Sequence, residues 1–366
     1  VAQALHDLCG EHIQIDLVDA LADYAPWPFD RLGDIYPYLL RLRAWPWAIG
    51  YRLFDGPRRA ALTTRSCWPL VQEAVFRLLQ DHPADTIVSC HPALNHLTLQ
   101  ALYATGRNTP LITLVSDLAT AHPFWFAPGV SRCLVPTEEV RQRAQACGLP
   151  EERVSKTGLP VSARFARVAE EDRLAVRQRL GLETDLPVVL LVNGAEGVGA
   201  PYRLCQAIAG SGVQAQLVVI AGRNERLRNK LMATAWPLPV RSEGFVDNMH
   251  EWMRAADLLV TKAGPSTICE AAMAGLPMVL SNALPGQEKP NVDYVVRARA
   301  GVWAPTPGRV ATEVSELLSP GNRRLTQMAE QTRSIAQPGA ARRVAEIVWN
   351  TAGRNWPESR VVIQSS

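Results

Sequence analysis

Short apolar runs without a helical period recur along the chain, each followed by a turn and a stretch with helical spacing. Thr86–Cys90, Leu111–Val115, Val130–Val135, Leu186–Val192, Leu217–Ala221, Leu258–Val260 and Leu276–Leu280 are such runs. Strands covered on both faces of a parallel sheet read this way, because neither side meets water. Ile13–Val18 alternates instead, as a half-buried strand does. Helical spacing predicts helices over about 68–80, 137–147, 170–180, 265–275, 309–318 and 340–351. Strand and helix in alternation predict an α/β chain built on parallel sheets. The chain opens directly on a helical pattern, Val1, Ala4, Leu5 and Leu8, where such a domain usually opens on a strand. The tail from Trp356 onward reads as loosely held.

Length and composition allow two cores: 366 residues, 47% hydrophobic and 20% charged. The polar helical stretch after Ala166 marks the expected boundary, giving domains 1–165 and 166–335, with 336–366 as a terminal helical segment returning to the first domain. A net charge of +3 is too small to argue for nucleic acid, and none is expected as a partner. The seven cysteines are scattered, odd in number and without a C-x-x-C pair, which fits a reduced compartment and thiols used as small core groups. No apolar run approaches the roughly 18 residues that span a bilayer, and no signal peptide is visible. Contact with a membrane would therefore be made from its surface.

Candidate chemistry concentrates between Asp257 and Asn291. After the run Leu258–Val260, Lys262, Ala263 and Gly264 make a turn, Pro265 suits a first helical position, and Ser266 and Thr267 stand at the start of a helix. A helix N-terminus has unpaired N–H groups and a partial positive charge, so this unit suits an anion such as a diphosphate. Glu270, one turn further, places a carboxylate where it can accept two sugar hydroxyls. The next strand leads into Pro285-Gly286-Gln287-Glu288-Lys289-Pro290-Asn291, dense in groups that read hydroxyls. Two neighbouring strand ends would then face one crevice, as ligand sites of parallel sheets do. That combination suits a nucleotide sugar. Upstream, Asn193-Gly194-Ala195-Glu196-Gly197 permits close backbone approach but matches no dinucleotide or phosphate-loop spacing. No Asp-x-Asp and no metal-ligand spacing is present, so neither a metal nor a cofactor is expected.

The first half carries two further features. From Tyr24 to Arg59, Trp27, Trp45 and Trp47 are interleaved with other aromatics and six arginines and broken by Pro26, Pro28, Pro37 and Pro46. Rings and cations in this mixture fit an anionic lipid surface; a packed domain flank is the competing reading. His91-Pro92 and Asp117 to Trp125 follow two strand ends on the expected acceptor face. His122 and Asp117 are the candidate catalytic groups, His91 an acceptor-side group, and Trp125 either a lipid wall or a core ring.

The stretch from Gly244 to Asn291 resembles the donor-binding half of the monogalactosyldiacylglycerol synthase and processive diacylglycerol glucosyltransferase group, related to the lipid II N-acetylglucosaminyltransferase. Lys156–Val161, Arg223-Asn224, and the His91 and His122 segments extend the resemblance over most of the chain. It implies a glycosyltransferase B fold, two Rossmann-like domains facing a cleft, here without the family's first strand and its Gly-His-Arg loop. It implies inverting, metal-independent transfer of galactose or glucose from UDP-galactose or UDP-glucose to diacylglycerol, at the inner, cytoplasmic face of a membrane. It places uracil at Phe245 and Val246, ribose at Glu270, and the hexose at Gln287, Glu288 and Asn291. Transfer of N-acetylglucosamine to a polyprenyl-linked acceptor, or a binding protein that has lost its base, are the alternatives.

Overall fold

The computed structural model describes residues 1–9, 13–31, 53–193, 200–353 and 359–365. Contacts divide it into two units, Val1–Pro160 with 285–287 and Gly339–Ser366, and Val161–Leu284 with Glu288–Pro338.

The first unit begins with α1 (Ala2–Cys9), β1 (Ile13–Asp19) and α2 (Ala20–Tyr24), and continues with α3 (Pro57–Asp81), β2 (Thr86–Ser89), α4 (Pro92–Ala104), β3 (Leu111–Leu114), β4 (Arg132–Val135), α5 (Glu138–Ala146) and β5 (Val154–Lys156). The long helix α3 starts eleven residues ahead of the expected span, with Pro57 in its first turn where a missing N–H costs nothing. β2 and β3 are buried at every position, as their unbroken apolar runs require.

In the second unit, α6 (Ala163–Ala169) and α7 (Arg173–Arg179) precede β6 (Val188–Val192), α8 (Pro201–Ala209), β7 (Gln216–Ile220), α9 (Glu225–Met232), β8 (Val240–Glu243), α10 (Met249–Ala255), β9 (Leu258–Lys262), α11 (Pro265–Ala274), β10 (Met278–Asn282), α12 (Lys289–Arg297), β11 (Gly301–Trp303), α13 (Pro307–Leu317) and α14 (Arg323–Ser334). The strands form one parallel sheet in the order β11-β10-β9-β6-β7-β8. From β6 the chain winds outward through β7 and β8, then returns to β9 on the other side of β6 and winds the opposite way. Their carboxyl ends therefore flank a topological switch point, where loops part and leave a crevice. The single helix expected over 170–180 is two short ones, because the Asp172 carboxylate accepts from Ala175 N–H and caps a new start. The unit begins at Val161, five residues ahead of the expected boundary. α6 packs on α10 and α11, with Phe165 buried and its ring edge-on to His250 at 5.9 Å.

The chain then supplies the first unit with α15 (Ala340–Thr351), which packs on α1, and β12 (Ser359–Ser365). The six strands of that unit lie parallel in the order β1-β12-β2-β3-β4-β5. The expectation of a loosely held tail is corrected here. β12 pairs with β1 along its whole length and with β2 from Val361 to Gln364, and Val361, Val362 and Ile363 are buried. A Val-Val-Ile run fits the middle of a parallel sheet for the same reason that the other apolar runs do.

Candidate functional site

The site expected for a nucleotide sugar lies along the carboxyl edge of the second sheet. Pairing with β10 fixes the end of β9, where Ala263 N–H donates to the Asn282 carbonyl at 2.8 Å. Gly264 then starts α11, with Pro265 in the first turn, and no side chain caps the helix. The first intrahelical bond runs from Ile268 N–H to Gly264 O. Ser266 and Thr267, ahead of it, thus offer backbone N–H groups at the positive end of the helix dipole, and Ser266 is exposed. A Cβ on Gly264 would come within 3.3 Å of Lys262 Nζ, so a side chain there would displace the lysine.

The second loop is tied to the first. Lys262 Nζ donates to Glu288 Oε1, and Leu284 N–H donates to Glu288 Oε2 at 2.9 Å. Asn291 Nδ2 donates to the Ala263 carbonyl at 2.9 Å. Glu288 and Asn291 are both buried. With both carboxylate oxygens and the amide nitrogen engaged, they hold the turn after β9 against the segment after β10.

Glu270 is different. It sits one turn into α11, largely out of water, and no described group donates a hydrogen bond to it. Burial pushes its carboxyl up to about 7. A carboxylate without a partner at a ligand crevice is what acceptance of vicinal hydroxyls requires, since the ligand would supply the missing donors. Asn193, at the end of β6, is 2% exposed, and neither its amide oxygen nor its nitrogen has a partner. In sequence its one mark is its place before a glycine-rich loop. Gly194 and Gly197 lie outside the described residues.

Beyond β7, Asn224 accepts from Leu227 N–H at 3.0 Å and caps α9, a structural task. Arg223 is exposed, and its guanidinium lies 5.7 Å from the centre of the Phe245 ring. Phe245 follows β8 and is 67% exposed, so it is no core residue; Val246 beside it is half-buried. Ring and cation together form a flat wall on which a planar base can rest.

In the first unit the candidate acceptor residues also follow strand ends. His91 caps the start of α4 by backbone alone. Its Nδ1 is buried without a partner, and burial lowers its pKa against the opposing charge of Asp19. Asp117 is buried and accepts from Trp125 Nε1 at 2.8 Å and, through residues that group with this unit, from Gln287 Nε2 at 3.1 Å. Gln287 Nε2 is thereby engaged within the protein, while its Oε1 is buried without a partner. His122 accepts from Phe124 N–H through Nδ1 at 3.3 Å and stacks on that ring. Trp125 is a core ring at 2% exposure, which removes it as a lipid wall. Trp27, at 80%, is open to solvent. Trp45 and Trp47 lie outside the described residues. Among the described residues no helix is long and apolar enough to cross a membrane.

Comparison with known proteins joins these observations. The family model described as monogalactosyldiacylglycerol (MGDG) synthase matches residues 1–161, and that of the glycosyltransferase family 28 C-terminal domain matches residues 201–343. The probable monogalactosyldiacylglycerol synthase 2, chloroplastic, of Oryza sativa subsp. japonica is 35% identical over 357 residues, covering 93% of this chain and 75% of that protein. The chain belongs to the monogalactosyldiacylglycerol synthase family.

Another member, the probable chloroplastic synthase of Glycine max, is 36% identical over 355 residues; these cover 93% of this chain and 66% of that protein, just under two thirds of its length. Among solved structures, Acinetobacter baumannii MurG aligns with a TM-score of 0.54 at 18% identity, covering 76% of this chain and 77% of that one. Anabaena Alr3699/HepE in complex with UDP aligns with a TM-score of 0.54 at 16% identity, covering 78% and 84%. Such distant likeness speaks to fold, and the fold is that of the glycosyltransferase B enzymes.

Proposed function

We propose that the chain transfers a hexose from a UDP-sugar to 1,2-diacylglycerol, with inversion and without a bound metal. The observation that carries this reading is the pairing, on one helix, of an uncapped N-terminus with the unpartnered Glu270. The N–H groups of Ser266 and Thr267 would take the charge of the departing diphosphate, a role fixed donors fill without reorganising. Glu270 would accept the ribose hydroxyls, and the uracil would rest by Phe245 and Val246. The family relatives are named for a galactolipid of diacylglycerol, which favours UDP-galactose over UDP-glucose and diacylglycerol over a polyprenyl-linked acceptor. We place the protein at a membrane surface, held peripherally by Trp27 and neighbouring arginines on anionic lipid.

Titration calorimetry with UDP, and transfer of labelled hexose from UDP-galactose or UDP-glucose to diacylglycerol with and without EDTA, test this. UDP binding, with transfer that survives EDTA, is the expected result. Absence of UDP binding would overturn the reading. Binding without transfer would point to a sensor that keeps only the donor site.

A further inference from the structure

The first unit contains a space that the sugar chemistry does not use. α2, α3 and α4 line a partly open cavity of about 200 Å³, walled by Leu21, Val71, Ala74, Val75, Leu78 and Leu94. Protein interiors rarely leave such a void, and a site holds water only where it offers the water two to four polar partners. Here each hydroxyl proton on the wall is already given away. Thr63 and Thr64 donate to the carbonyls of Arg59 and Ala60, Thr98 to Gln364 Oε1, and Tyr24 to Asp81. What remains is a predominantly apolar chamber without a free hydroxyl donor, suited to hydrocarbon.

Its surroundings say where the hydrocarbon comes from. On the outer face of α3, Leu62 and Leu70 are 66% and 65% exposed, and Leu53 and Phe54, just ahead of the helix, are exposed as well. Arg58, Arg59 and Arg65 stand among them, with no acidic residue from Gly56 to Gln72. Asp55, between Phe54 and the helix, is the acidic residue of this patch and is paired with Arg143; exposed apolar side chains with cations in excess fit the surface of an anionic bilayer. The opposite wall borders the acceptor-side residues: Phe124 lines the cavity and stacks on His122 at 4.8 Å, and Leu94 lies three residues beyond His91. The chamber thus lies between a membrane-type surface and the carboxyl edge of β2 and β3. Pro69 lies within α3 at this level and, lacking an N–H, leaves the Arg65 carbonyl without its helical bond.

We propose that this cavity receives a hydrocarbon chain of the lipid acceptor, drawn from a bilayer against the outer face of α3. The assignment rests on the lipid reading above. It is tested with a diacylglycerol carrying a diazirine near the end of one acyl chain, presented to the full chain in vesicles of phosphatidylcholine and phosphatidylglycerol. Photolysis should label the wild-type protein within 63–78 and 94–98. In Ala74→Phe, a chain denied about three buried methylenes should label these segments on the order of 50-fold less. Label restricted to exposed positions such as Leu53, Leu62 or Leu70, or undiminished inside a folded Ala74→Phe, would overturn the proposal. Mapping on the wild type decides the matter even if the variant does not fold. UDP titration on the same samples keeps the two readings apart: interior label without UDP binding sustains the chain site and removes the transferase reading, and UDP binding with surface label does the reverse.

Discussion

Replacing Glu270 with Gln removes a charge that the fold holds without a partner. Burial lifts this carboxyl from its ordinary 4.5 to about 7. An acid whose folded pKa lies above its unfolded value keeps more protons in the folded state. Its contribution is therefore intact below about pH 4.5, is lost as pH rises toward 7, and does not change further above that. At about 1.4 kcal/mol per pH unit, the gap corresponds to on the order of 3 kcal/mol of destabilisation at pH 8. Glu270→Gln keeps the shape and escapes that cost, so it should melt higher than the parent at pH 8. For a unit of this size each kcal/mol moves Tm by about 2–4 °C, giving a rise of about 6–12 °C. Scanning calorimetry at pH 5 and pH 8 measures it, and most of the gain should vanish at pH 5. Saturating UDP should then raise the parent's Tm more than the variant's, because only the parent keeps the acceptor for both ribose hydroxyls. Equal Tm values for parent and variant at pH 8 would refute the reasoning, since the carboxylate would then be hydrated or paired.

Glu288→Gln should do the opposite. It leaves the Lys262 ammonium beside a neutral amide in a buried pair, at a cost of about 3 kcal/mol read as a lower denaturant midpoint; an unchanged midpoint would show that the link between the two loops is not needed. Phe245→Ala should leave stability within about 0.5 kcal/mol, because the ring is exposed. The same change should weaken UDP binding by about 0.5–1.5 kcal/mol in calorimetry, and full affinity would exclude stacking there. Deleting residues 359–366 should abolish the melting transition of the first unit and spare that of the second; a folded first unit would mean that β1 and β2 do not depend on β12. Iodoacetamide at pH 8 should modify Cys67 well before Cys133, Cys205 and Cys269, whose thiols burial pushes up to about 12, with mass spectrometry as the readout.

The central strands were legible because a parallel sheet buries both faces of each one, which forces short continuous apolar runs between turn signals; the short, partly exposed β5, β8 and β11 carry no such run. The turn from Lys262 to Thr267 was legible too, since glycine, proline and hydroxyl residues in that order have few other uses. Side-chain direction was not. Whether Glu288 faces a sugar or Lys262, 26 residues earlier, depends on how two loops meet, and spacing carries no record of it. Phe245 and Trp125 show the same limit. Both are aromatic residues soon after a strand; one is exposed beside Arg223 and the other is buried with its indole N–H on Asp117. Asn193 stands out in the sequence only as the start of a glycine-rich loop, because a buried amide with no partner looks like any other asparagine until its surroundings are known. The terminal strand was not legible, because chain ends are commonly loose and its apolar run, Val361-Val362-Ile363, is only three residues long.

That strand sets a timetable for synthesis. β1 to β5 are made first, but the piece that lies between β1 and β2 leaves the ribosome roughly 200 residues later, after about 10–40 s at ordinary elongation rates. Until then the nascent chain carries two unpaired strand edges, the feature most prone to pairing with a neighbour. The second half, whose sheet is contiguous in the chain, can close while the first still waits. Production of this protein should therefore depend on chaperone capacity and on slow expression more than its final stability would indicate.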